Sequence, residues 1–202
     1  GAITKLTTTN GENKIISYKD NNIILWSNTD KVPVTLKDLD KKTSQVLFTP
    51  KNTAQNIKLC NVEGDDYLIE VESNSTVNLY DFKNNTYKEV YSGTGVQDAV
   101  LMNNGLIYIA KSAATNPQTP LLYVNPQTME TVPINIKGNV IFALSTDGKT
   151  IYGLNIISDD NVKNTYVFSY NVYTKQTTNI LKFAEEDAEA FTYLNGNYLF
   201  TN

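Results

Sequence analysis

The stretch Val34–Leu47, VTLKDLDKKTSQVL, alternates apolar and polar residues, breaks at a knot of turn formers, and then resumes the alternation. Val77–Val90, VNLYDFKNNTYKEV, has the same form. Period-two alternation on both sides of a short polar turn marks an antiparallel hairpin with one buried face. Two further copies follow. Aligned without gaps, the twelve-residue cores are LKDLDKKTSQVL from Leu36, LYDFKNNTYKEV from Leu79, YVNPQTMETVPI from Tyr123 and SYNVYTKQTTNI from Ser169. Their third positions are Asp38, Asp81, Asn125 and Asn171, separated by 43, 44 and 46 residues. A short carboxylate or amide at that point accepts hydrogen bonds from amides one to three residues later and holds the chain as it leaves the strand.

A second hairpin falls between the copies and repeats with them. Its turns read YKDNNIIL from Tyr18, VEGDDYLI from Val62, MNNGLIYI from Met102, TDGKTIYG from Thr146 and LNGNYLFT from Leu194. Asn, Asp and Gly at the tip, flanked by β-branched and aromatic residues, suit tight turns. The repeating unit is thus four strands, a to d, with short a–b and c–d turns. Its period is that of a four-stranded propeller blade and is too long for most helical repeats. The expected fold is an all-β propeller occupying residues 1–202 as one domain. Its blades lie near 14–55, 56–95, 96–138 and 139–187, with a partial blade at 188–202. ITKLTTTNGENKIISY aligns with QVLFTPKNTAQNIKLC, which makes the first strand, near residues 3–9, a d strand. A blade without strand c leaves an open edge, so the expectation is an arc of a larger ring of about seven blades. The alternative is an irregular ring whose N-terminal strand closes the last blade. No segment has the apolar spacing of an amphipathic helix; FAEEDAEAF, from Phe183, reads as a loop running into a strand.

Composition narrows the chemistry. All 17 basic residues are Lys, and His is absent. Without His there is no Ser-His-Asp or Cys-His arrangement, no imidazole metal ligand and no imidazole base. Without Arg there is no bidentate clamp for phosphate or carboxylate. Richness in Asn and Lys is also the compositional mark of an AT-rich genome, which thins out Arg and His without a functional cause. The net charge of −4 and the lack of a basic cluster argue against a nucleic-acid partner. The single Cys60 has no internal disulfide partner, and IKLCNV places it as a small buried hydrophobe. No apolar run has membrane-spanning length and no leader pattern opens the chain, so no membrane insertion by this segment is expected.

Two segments carry a family likeness. LSTDGKTIYGLN, from Leu144, resembles the signature of bacterial YVTN-type propellers, with Thr146 where Pro is common. ISYKDNNIILWSN, from Ile16, resembles the part of WD repeats that ends in Trp-Asp, although Ser27 follows Trp26 and the Gly-His pair is missing. The resemblance implies a bacterial WD-like or YVTN-like propeller. Such rings host binding, scaffolding and catalysis alike. A non-catalytic domain presenting loops to a protein or peptide partner, exported or at the cell surface rather than cytoplasmic, is the first expectation. A structural module of a larger protein is a further one.

Loops sort the candidate sites. In a propeller the b–c and d–a connections share one face, where partners commonly dock. The longest of these, Lys111–Pro120, offers Lys111, Asn116 and Gln118 as polar contacts, with Asp159 and Asp160 beside them on the next blade. Asp159 and Asp160, with Glu185, Glu186 and Asp187 on the following connection, form an oxygen-rich set suited to Ca²⁺ rather than to nitrogen-seeking metals; a solvated acidic rim is the plainer reading. No cofactor is otherwise implied. Asp98 and Glu189, both on innermost strands, are the carboxylates on which a carbohydrate hydrolase, possible without His, would rely. STDGKT, from Ser145, lacks one residue of the sialidase Asp-box spacing and reads as a hairpin turn. Tyr80, Tyr108, Tyr152 and Tyr170 fall at alternating strand positions and are expected to pack within the sheets.

Overall fold

The computed structural model describes residues 12–112, 120–159, 162–184, 190–194 and 196–201. Among these residues all regular structure is strand. Blade 1 consists of β1 (Asn13–Ser17), β2 (Asn22–Ser27), β3 (Val34–Asp38) and β4 (Thr43–Phe48). Blade 2 consists of β5 (Ala54–Val62), β6 (Asp65–Glu72), β7 (Thr76–Asp81) and β8 (Thr86–Ser92). Blade 3 consists of β9 (Val96–Leu101), β10 (Ile107–Lys111), β11 (Leu121–Val124) and β12 (Thr131–Ile134). Blade 4 consists of β13 (Val140–Thr146), β14 (Thr150–Asp159), β15 (Val162–Asn171) and β16 (Thr177–Ala184). A fifth sheet holds β17 (Ala190–Leu194) and β18 (Asn197–Thr201). Every sheet is an antiparallel meander in chain order. The strand expected near residues 3–9 lies outside the described residues.

The repeated Asx position acts as expected in all four copies. Asp38 Oδ1 accepts from the amides of Asp40 and Lys41, and Asp81 Oδ1 from those of Lys83 and Asn84. Asn125 Oδ1 accepts from Gln127 and Thr128, and Asn171 Oδ1 from Tyr173 and Thr174. Four residues after each of them the chain turns through a left-handed residue: Lys42, Asn85, Met129 and Lys175 have φ of 56°, 50°, 62° and 57°. The a–b turns are tight as well; Glu63 and Gly64, at φ 52° and 92°, join Val62 to its partner Asp65.

Apolar seams between consecutive blades form the core. Ile24, Trp26, Val34 and Phe48 of blade 1 pack on Ile57, Leu68 and Tyr80 of blade 2. Ile69, Val71 and Leu79 of blade 2 meet Ala99, Ile107 and Leu122 of blade 3. Val100, Tyr108 and Leu121 of blade 3 meet Ile141, Ile151 and Phe168 of blade 4. The middle strands β6, β7 and β10 therefore bury both faces, while the outermost β4, β8 and β12 remain mostly exposed. The innermost strands β5, β9, β13 and β17 lie side by side. Tyr80, Tyr108 and Tyr170 are buried in the seams, and Tyr152 is half-buried. Cys60 is half-buried rather than buried, because it lies at the margin of the blade 2–blade 3 seam; desolvation there pushes its thiol pKa up.

Candidate functional site

Asp98 lies at the junction of three innermost strands. It is 3% exposed. Its Oδ2 accepts from Lys58 Nζ of β5 at 2.5 Å and from the Leu144 amide of β13 at 2.6 Å. Its Oδ1 accepts from Asn56 Nδ2 of β5 at 3.0 Å and from the Ala99 amide at 2.8 Å. Lys58 Nζ also donates to the Leu144 carbonyl at 2.6 Å, so one ion pair ties blades 2, 3 and 4 together. All three strands bulge beside this node. The register slips between Ala54 and Asn56 in β5, opposite Ala110 and Lys111 in β9, and between Phe142 and Ser145 in β13. Within the last bulge Ala143 takes φ 52°, and the next residue, Leu144, presents its amide and carbonyl to Asp98 and Lys58. A bulge re-aims backbone groups in this way at the cost of one paired position.

A groove of about 640 Å³ opens between blades 2 and 3 on the face of the a–b and c–d turns, within the usual volume range of ligand pockets. Val62, Leu79 and Leu101 supply its apolar lining. Tyr67, Asp81 and Thr86 line it from blade 2, and Asn103, Asn104 and Gln127 from blade 3. Lys88 spans the two blades, donating to the Pro126 carbonyl at 2.7 Å. Burial raises the Tyr67 phenol above its ordinary pKa. Burial also acts to raise Asp81, but donors from Asn84 and Lys83 outweigh it and hold the carboxyl below its ordinary value. The groove joins the turns of two successive blades, Glu63 to Asp65 with Asn103 to Gly105 and Asp81 to Thr86 with Pro126 and Gln127, to the apolar Val62, Leu79 and Leu101, and it occupies the face opposite to the one singled out by loop length. The sequence signal for it was the polar composition of the turn tips, which hairpin geometry alone also explains.

The residues expected on the other face are only partly placed. Lys111 closes β10, and its Nζ donates to Tyr91 Oη at 3.1 Å and lies 5.7 Å from the centre of that ring. Asp159 ends β14, where its backbone pairs with Val162. Asn116, Gln118, Asp160, Glu185, Glu186, Asp187 and Glu189 lie outside the described residues. Among the described residues no group of three or more Cys, Asp or Glu is arranged to hold a metal ion. No helix among them is long and apolar enough to cross a membrane.

Comparison with solved structures gives the fold. The chain superposes on TolB from Acinetobacter baumannii with a TM-score of 0.60 at 17% identity, covering 85% of this chain and 43% of that one. It superposes on an oligogalacturonate lyase in complex with manganese with a TM-score of 0.61 at 7% identity, covering 86% and 53%. A puromycin-hydrolyzing peptidase of Mycobacterium tuberculosis gives 0.58 at 14% identity, covering 82% and 28%. The chain thus spans about half the length of these structures, or less. No protein-family model matches it, and no curated protein does. The shared architecture is that of a β-propeller.

Proposed function

We propose that this chain is a non-catalytic propeller scaffold, of the bacterial WD-like or YVTN-like kind, that binds a protein or peptide partner. The groove between blades 2 and 3 carries this reading. It is built from rigid strand ends and tight turns, mixes apolar lining with amide, hydroxyl and carboxylate groups, and has room for one or two side chains of an extended peptide. The engagement of Asp98 supports binding over hydrolysis, since four donors occupy the two oxygens that an acid–base role would need. No cofactor enters the reading.

Selection of random peptides displayed on phage against the intact chain tests it. Peptides enriched on the wild-type chain should lose binding to Thr86→Trp and Gln127→Trp, which fill the groove from opposite walls at exposed positions. Absence of enrichment over a blank surface, or binding that both variants retain, refutes the proposal.

A further inference from the structure

A second buried carboxyl stands in the seam between blades 1 and 2, away from the groove. Glu70 is completely buried. It shares one face of β6 with Leu68, which packs on blade 1, whereas Ile69 and Val71 face blade 3. Its Oε2 accepts from Asn78 Nδ2 of β7 at 3.0 Å and from Tyr87 Oη of β8. Its Oε1 has no hydrogen-bond partner among the described residues.

Among the described residues no lysine is a partner of Glu70. On its own strand the facing titratable group is Glu72, which is occupied by the Lys51 and Asn52 amides and by Asn52 Nδ2. From β7 come neutral Asn78 and Tyr80, from β8 Tyr87 and Glu89, and from β5 the apolar Ile57 that pairs with Glu70. Blade 1 contributes Phe48, stacked on Tyr87 with ring centres 4.4 Å apart, and the apolar Ile24, Trp26 and Val34. Lys19, at the turn end of the seam, is paired with Asp66 instead.

We propose that Glu70 makes this seam a pH-responsive joint: blades 1 and 2 close fully on the neutral carboxyl and part locally when it ionises. A buried carboxylate with one orphan oxygen and no cation is unfavourable, while the neutral acid is tolerated in the same place. Burial raises the pKa of Glu70 to about 7; Tyr87 and Asn78 draw it down, and Glu72 adds to the rise. The joint is therefore tight on the acid side of neutrality and loosens on the alkaline side.

Trp26, the single tryptophan, lies in the same core at 5% exposure, so acrylamide quenching of the intact chain reads the joint directly. The quenching constant should rise roughly two-fold between about pH 5.5 and about pH 8.5, without loss of strand content by circular dichroism. Glu70→Gln should abolish that rise. Tyr87→Phe removes a donor that favours the carboxylate and should move the rise to higher pH. Where Glu70→Gln fails to fold, the ¹³C carboxyl titration of Glu70 in the wild-type chain decides, with a midpoint near neutrality upholding the joint. A flat wild-type profile, a rise that survives Glu70→Gln, a shift to lower pH in Tyr87→Phe, or a midpoint in the ordinary carboxyl range overturns it.

Discussion

At the scale of the residue, Asp98 shows how a position visible in the sequence acquires its meaning from partners that are not. Its place on an innermost strand follows from the repeat, but Asn56, Lys58 and Leu144 lie 40 or more residues away. Removing one member of a buried ion pair leaves the other member and its hydrogen-bonding groups unsatisfied. Asp98→Ala should cost about 4 kcal/mol in urea unfolding, because Lys58, Asn56 and the Leu144 amide all lose their acceptor. Lys58→Met should cost about half as much, since Asp98 keeps Asn56 and two amides. Equal losses, or the reverse order, would show that the node does not join the blades as described.

The Asx turns set the shape of each element, and the strain in them is open to test. Lys42 and Lys175 adopt the left-handed conformation with exposed side chains, a conformation that only Gly reaches without a steric penalty. Each of Lys42→Gly and Lys175→Gly should stabilise the chain by about 0.5 kcal/mol, the relief of strain exceeding the added freedom of the unfolded chain. The double variant should show the sum, as the two turns are in separate blades. Glycines at the a–b turns predict the opposite sign. Gly105, at φ 75°, has open space where a Cβ would stand, whereas at Gly148, at φ 88°, a Cβ would come within 2.5 Å of Asn103 Nδ2. Gly105→Ala and Gly148→Ala should each lose about 1 kcal/mol in parallel thermal melts, since the exposed Asn103 side chain can swing aside and the positive φ is the cost common to both. The turn of blade 4 rests on that of blade 3 through the Asn103 backbone amide, which donates to the Gly148 carbonyl at 3.2 Å.

For the whole molecule, titrating groups pull stability in opposite directions with pH. Asp38 is held below its ordinary value of 3.8 chiefly by hydrogen bonds from Lys41. Asp66 is held low too, because Lys19, Asn61 and Tyr18 outweigh its desolvation. Their contribution is complete above that ordinary value and is lost as pH falls through their lower folded values. Glu70 acts with the opposite sign: its contribution is complete below its ordinary value of 4.5 and is lost as pH rises through about 7. Stability should peak between about pH 4 and pH 5, then fall by about 3 kcal/mol towards pH 8. Urea unfolding across that range checks this, and Glu70→Gln should remove most of the alkaline decline. Successive blades meet through separate apolar seams, so the loss should begin at the seam between blades 1 and 2.

The strands, their grouping in fours and the turn carboxylates and amides are legible in the amino-acid sequence alone. These depend on contacts within a few residues: period-two burial, Asx hydrogen bonds and tight-turn geometry repeat every 43 to 46 positions and so stand out against chance. The left-handed residues after each Asx were hidden because Lys, Asn and Met, not Gly, occupy those positions. The remaining features come from the packing of blade on blade. The bulges that aim Leu144 at Asp98, the groove between blades 2 and 3, and the partnerless oxygen of Glu70 each arise where one blade meets another. Their chemistry is set by through-space neighbours, for which a pattern along the chain carries no separate mark.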